Sequence, residues 1–242
     1  MTFRLANRRT VLINSAYSFV INPIITNTVT GSNGVDTFYF NNMKNERFAT
    51  YNGFLLYDRL IKAANITVSG QLSVNGSRFI NYANYERNVT NATTLSADAG
   101  ISRSAPNSYE IYLHNTISYN VLTSSLQKEN ENNYWANILT FDATVYAIKK
   151  FRLNTNANYN YRSVSNSFSA LKYFIWNAWV GRTFMKNDAL LVKFAANDML
   201  NENIGLKRLA ANNIITQSSY TTIRRYFMLT FSWDFNKVQK NK

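Results

Sequence analysis

The chain has 242 residues, no cysteine, 16% charged residues and a formal net charge of +13. Its length fits one domain or one large barrel-like unit, and the missing cysteines exclude a disulfide framework and a thiolate metal site. No apolar run approaches the roughly 18 residues of a spanning helix, yet a mean hydropathy of −0.27 leaves membrane strands open, because alternating residues average near zero while one face stays apolar.

The opening stretch, "MTFRLANRRTVLINSAYSFV", is basic and then alternates, with Asn14, Ser15 and Ser18 interrupting any apolar core of a signal peptide. If the protein is exported, its signal is expected upstream of Met1. From 11 to 21 the spacing predicts a strand with Val11, Ile13, Tyr17, Phe19 and Ile21 on one face, with Ser15 inside the series. A second strand is expected near 48–57. In 64–75, Ile66, Val68, Leu72 and Val74 oppose Asn65, Thr67, Ser69, Gln71 and Ser73. Another strand is expected near 93–103, followed by 109–121, where Tyr109, Ile111, Leu113, Ile117, Tyr119 and Val121 oppose Glu110, His114, Thr116, Ser118 and Asn120.

Segment 135–147 continues the pattern, and "FRLNTNANYNYRS" at 151–163 is its clearest case. Phe151, Leu153, Thr155, Ala157, Tyr159 and Tyr161 take one face; Arg152, Asn154, Asn156, Asn158, Asn160 and Arg162 take the other. A 3.6-residue helix would mix these two sets, whereas a strand separates them. Strands over 174–184 and 190–196 follow, and "RRYFMLTFSWDFNK" at 224–237 places Phe227, Leu229, Phe231, Trp233 and Phe235 on one aromatic face.

About ten strands are expected, joined by connections of alternating length. Short ones fall near 58–62, 105–107, 148–150 and 185–188. Longer polar ones fall near 22–45, 79–92, 122–133 and 198–221, with 163–169 a shorter member of that set. Short turns at one end and long loops at the other are the pattern of an outer-membrane barrel meander. No linker or charge block divides the chain, and both prolines, Pro23 and Pro106, fall in connections.

A row of asparagines cannot fill a dry core without unsatisfied amides; it suits a wet lumen or a polar plug. Arg152, Arg162, Lys193 and Arg224 share the parity of the polar faces and are candidate lumen residues, for anionic solutes or for plug contacts. The basic residues are scattered, and many fall at the short turns or the C-terminus: Arg59, Lys62, Arg103, Lys149, Lys150, Arg182, Lys186, Lys237, Lys240 and Lys242. That scatter, without a basic helix stripe, does not point to nucleic acid. The single histidine, His114, has Glu110 one pair earlier, a weak signal that reads as a lumen hydrogen-bond partner. No nucleotide-binding, metallopeptidase or nucleophile-elbow motif is present, and neither an enzymatic activity nor a cofactor is expected.

Four stretches resemble the Bacteroidetes-type outer-membrane β-barrel family related to TonB-dependent receptors. "VLINSAYSFVINPIITNTVT" is similar to its alternating strand ending in Asn-Pro-Ile, and "FATYNGFLLYD" to its Tyr-x-Gly strand. "LLVKFAANDMLNEN" resembles its Asp-Met-Leu-Asn corner, and "YTTIRRYFMLTFSWDFNK" its closing strand. The resemblance implies an antiparallel, up-and-down transmembrane β-barrel of which this chain is the C-terminal part, the whole having about twenty-two strands. It also implies the outer membrane of a Gram-negative bacterium, with lipid and lipopolysaccharide around the wall. TonB-driven nutrient import, a plug carried by the missing N-terminal part, and recognition of Phe227–Phe235 by the barrel-assembly machinery follow in the same way. A ten-stranded barrel closing alone, a non-transport barrel serving as adhesin or anchor, and a soluble β-sandwich or lipocalin-like binder remain alternatives.

Overall fold

A computed structural model of the chain describes residues 2–5, 9–126, 132–147, 150–185, 188–211 and 214–235. Every regular element among the described residues is a strand: β1 (Thr2–Leu5), β2 (Arg9–Ile21), β3 (Ile24–Thr30), β4 (Asp36–Asn42), β5 (Arg47–Ile61), β6 (Ile66–Ala83), β7 (Glu86–Ala105) and β8 (Tyr109–Ser124). They are followed by β9 (Tyr134–Ala147), β10 (Phe151–Arg162), β11 (Leu171–Phe184), β12 (Leu190–Asn197), β13 (Leu206–Ala211), β14 (Ile214–Ser219) and β15 (Tyr226–Trp233). The main sheet runs β1-β2-β5-β6-β7-β8-β9-β10-β11-β12-β15, antiparallel throughout that path. From β2 onward the path is a meander in which each long strand pairs with the next. Among the described residues β1 and β15 are its two edges and do not pair with each other.

The hydrogen-bonded register drifts steadily across the sheet. From Arg9, the first residue of β2, the line of opposed residues passes Arg59, Val68, Ile101, Leu113, Phe141 and Ala157 to Trp176. It starts at one end of β2 and arrives in the interior of β11, a stagger of roughly one residue per strand, of the kind that tilts strands in barrels.

The same lines separate two faces. Ile13, Leu55, Leu72, Ala97 and Ile117 are opposed in sequence on one of them. Gln71, Asp98, Thr116, Ile138 and Asn160 are opposed on the other. The apolar face has no second layer over it: Leu72 is 61% exposed, and the only buried hydrophobic residues among those described are Ile25, Ile80 and Ala195. A soluble sandwich or lipocalin buries its apolar face against protein, and no such cover is found among the described residues.

Two loop ends differ in size. The turns at 62–65, at 106–108, around Lys150 and around Asp188 lie at one end. At the other end the connection expected as a loop at 22–45 contains the β3–β4 hairpin, and the one at 198–221 contains β13–β14. The stretch expected as a loop at 79–92 is instead an extension of β6 and β7 around Asn84 and Tyr85, both at positive φ (50° and 67°). Two such residues make the tight turn that matches strand twist. Its polar composition hid the extension, because the side chains buried there, Ile80, Asn88 and Thr90, pack among polar loop-end partners and do not form an apolar alternation. Lys149, Lys186, Lys237, Lys240 and Lys242 lie outside the described residues.

Side-chain amides hold this loop end. Asn88, fully buried, donates to Asn81 Oδ1 (3.0 Å) and its carbonyl oxygen accepts from Ser124 Oγ (2.7 Å). Arg87 reaches Glu46 with two bonds, Nε to Oε1 at 2.6 Å and Nη2 to Oε2 at 3.0 Å, tying the entry of β5 to the tip of β7. The hydrogen bond from Arg87 holds the Glu46 carboxyl below its ordinary range. A depressed carboxylate stabilises the fold above its unfolded pKa, about 4.3 for Glu, and that contribution is lost as pH falls through the lower folded value. Proteolysis of the 84–85 turn is therefore expected to accelerate only below about pH 4, and Glu46→Gln should remove that acid step.

The Asp-Met-Leu-Asn corner after β12 is built by Asp198. Its carboxylate accepts the backbone N–H groups of Glu202 (2.9 Å) and Asn203 (3.0 Å), while Asn201 Oδ1 accepts that of Arg225 (3.3 Å). Within β6, Gly76 gives room to Tyr51, whose ring crosses the glycine and reaches Thr93 Oγ1 at 2.7 Å. A Cβ at position 76 would overlap that ring. Gly76→Ala is expected to cost about 1–3 kcal/mol as an overpacking change, read by denaturant unfolding, and much less in a Tyr51→Ala background.

Candidate functional site

The polar face carries a continuous hydrogen-bonded ladder. Asp142 accepts from Asn154 Nδ2 (3.4 Å) and Asn156 Nδ2 (3.3 Å), Asn158 Nδ2 donates to Asn156 Oδ1 (2.6 Å), and Thr140 Oγ1 donates to Asn158 Oδ1 (2.9 Å). Asn160 lies on the same face, opposite Ile138 and Tyr173. His114 sits between Asp98 and Thr116, not with Glu110: its Nε2 is 3.1 Å from Thr116 Oγ1 and 3.4 Å from Asp98 Oδ1. Glu110 instead accepts from the Tyr146 hydroxyl at 3.3 Å. The sequence spacing i, i+4 put Glu110 and His114 on one face of β8, but cross-strand neighbours are nearer than residues four apart along a strand.

The four basic candidates separate. Arg152 lies over the Tyr146 ring (5.7 Å) and Lys193 over that of Trp179 (5.5 Å), both on the polar face near the short-turn end. Arg162 stands on the polar face at the long-loop end. Arg224 precedes β15 and is exposed in the connection from β14, so the strand parity assigned to it does not apply.

Around Arg162 a cleft of about 240 Å³ opens at the loop ends of β7–β10. Its guanidinium is 3.6 Å above the ring of Tyr134 and 5.2 Å from that of Phe168. Arg208, from the folded-back β13–β14 hairpin, lies 4.8 Å from the Phe168 ring. Its Nε donates to Gln217 Oε1 and its Nη1 to the Ser169 carbonyl, both at 2.8 Å. Among the described residues neither arginine has a carboxylate within salt-bridge distance. Asn132, 1% exposed, lines the cleft with neither amide atom hydrogen-bonded, and Arg162 Nε is likewise buried without a partner. Sequence reasoning missed Arg208, Asn132, Tyr134 and Phe168. Only Arg162 carried a strand-parity signal, since the others reach the cleft through connections or through a strand end.

The apolar face has its own order. Tyr17, Phe19, Tyr119, Trp135, Tyr161 and Phe227 cluster towards the loop end, and Tyr57, Tyr109, Phe151, Phe184 and Trp233 towards the turn end. Arg103 lies 5.7 Å from the Tyr109 ring and Arg182 5.1 Å from that of Phe151, so cations accompany the turn-end aromatics. On β7 only Ile101, Ala99, Ala97 and Leu95 separate Arg103 from Thr93 on this face. About ten residues at roughly 3.3 Å each make an apolar stretch about 33 Å long along the strand. Two polar pairs lie inside the band: Asn137 Nδ2 donates to Asn115 Oδ1 (2.7 Å) and Trp176 Nε1 to Thr155 Oγ1 (2.7 Å).

β15 presents Phe227, Leu229, Phe231 and Trp233 on the apolar face, every one of them exposed, with Phe231 at 66%. The strand ends at Trp233; Phe235 lies beyond it and stacks on the Trp233 ring (4.8 Å between centroids).

The fold so described is an all-β, antiparallel, up-and-down sheet. Comparison with protein-family models, curated proteins and solved structures finds no match to the chain.

Proposed function

We propose that this chain forms part of the wall of an outer-membrane β-barrel, in a TonB-dependent receptor-like transporter that imports a nutrient such as a glycan, peptide or siderophore. The observation that carries the reading is the uncovered apolar face, banded by aromatics at both ends, opposite a hydrogen-bonded polar face. Water on that apolar face would cost about 25 cal/mol for each Å² left unburied; lipid removes the cost. The register stagger and the loop asymmetry support the same reading.

An unpaired strand edge is not stable in hydrocarbon. In this reading the free edges of β15 and of β2 beyond Leu12 are therefore completed by further strands, giving a larger barrel of about twenty-two strands. The long-loop end faces outward and carries substrate contacts. The plug and the TonB connection belong to other parts of the protein, and lipopolysaccharide surrounds the outer half of the wall.

The test is fractionation of the expressing Gram-negative cell. The chain, in its whole protein, is expected in the outer membrane, resistant to carbonate extraction and migrating differently before and after heating in detergent. Purification as a detergent-free soluble monomer would overturn the reading.

A further inference from the structure

We propose that the cleft between Arg162 and Arg208 is a binding site for one acidic sugar unit, held by its carboxylate. The inference rests on the polar face being a wet lumen and names the class of solute met at its outer end.

Two guanidiniums share this small cleft without a carboxylate partner among the described residues. Like charges gathered in this way are stabilised by an anion between them, and the planar guanidinium fork matches a carboxylate with two parallel bonds. Both groups are already positioned: Arg162 by its stack on Tyr134, and Arg208 by Gln217 and the Ser169 carbonyl, neither of which supplies negative charge. Asn132 adds an independent sign. A buried amide with both its donor and its acceptor unbonded is rare in native structures and marks an absent polar partner, and such an amide matches a sugar hydroxyl, which both donates and accepts. At about 240 Å³ the cleft is smaller than the roughly 300–1,000 Å³ of drug-sized sites, which limits the occupant to about a single ring.

The experiment titrates the whole protein that contains this chain, in detergent micelles or in outer-membrane vesicles, with glucuronate, glucose and inorganic phosphate by calorimetry. Saturable binding of glucuronate is expected, at least tenfold tighter than that of glucose or phosphate. Arg162→Gln and Arg208→Gln should each weaken it at least tenfold, and Asn132→Ala several-fold, while Lys193→Gln at the opposite end leaves it unchanged. Arg208 sits on a hairpin outside the main sheet, so its variant keeps the test free of folding defects, and heat-modifiable migration verifies each sample. Absence of saturable glucuronate binding in heat-modifiable protein, or binding indifferent to both arginine changes, would overturn the site and leave the barrel reading standing. Phosphate binding as tightly as glucuronate would reduce the site to a bare-anion site and overturn the sugar assignment. Glucuronate binding by chain that is not membrane-integrated would separate the two in the other direction, sinking the wet-lumen premise.

Discussion

Replacing Phe231, Trp233 and Phe235 with Ser together is expected to abolish assembly into the outer membrane. These three aromatics are heavily exposed, and Phe235 at 78% makes its visible contact through the Trp233 ring. In water such truncations would change stability little, because surface substitutions are usually within about 0.5 kcal/mol. Against lipid, each Phe- or Trp-sized side chain contributes about 2–3 kcal/mol by burial, so the triple change removes about 6–9 kcal/mol. That is the order of a whole protein's net stability. The strand also closes the chain's sheet on β12 and ends next to the short-turn end, where Trp233 opposes Leu190. In the proposed reading this aromatic strand is what the barrel-assembly machinery recognises. A heat-modifiable barrel recovered from the outer membrane in normal yield would sink both parts of the argument.

Leu72→Arg is expected to destabilise the membrane-inserted chain by about 2–4 kcal/mol, the cost of a cation near the bilayer midplane of a strand barrel. Leu72 lies mid-band on β6, opposed by Leu55 and Ala97. Its neighbour Gln71 points to the polar face, opposite Leu56 and Asp98, so Gln71→Arg should fall within about 0.5 kcal/mol of the parent. Urea unfolding in liposomes measures both. A soluble reading predicts a small effect at both positions, because Leu72 already faces solvent in the isolated sheet. Equal effects at 71 and 72 would therefore remove the lipid from the account.

Much of this architecture was legible because a strand writes its two faces at period two. Leu153 against Asn154, or Leu113 against His114, declares a side without knowing the partner strand. The long strands appear where alternation predicts them, and the loop asymmetry is visible as chain length. The extension of β6 and β7 was not legible, since Phe79–Thr90 lies beyond the apolar band and nothing there demands alternation. Nor were β3–β4 and β13–β14, short hairpins inside polar connections, or the pairing of His114 with Asp98 in place of Glu110.

Sequence by itself determined the long strands of the meander and their amphipathic faces, since these depend on residues two apart and on local turn chemistry. The tertiary structure alone decided register, edges and the loop-end cleft. Register depends on which residue of the next strand is opposed, and a slip of one residue exchanges the faces without changing any local preference. The free edge of β15 follows from its pairing with β12 alone, while β2 pairs with β1 and β5. Arg162 and Arg208 share a cleft because a hairpin folds back across the sheet, and no local spacing encodes that meeting.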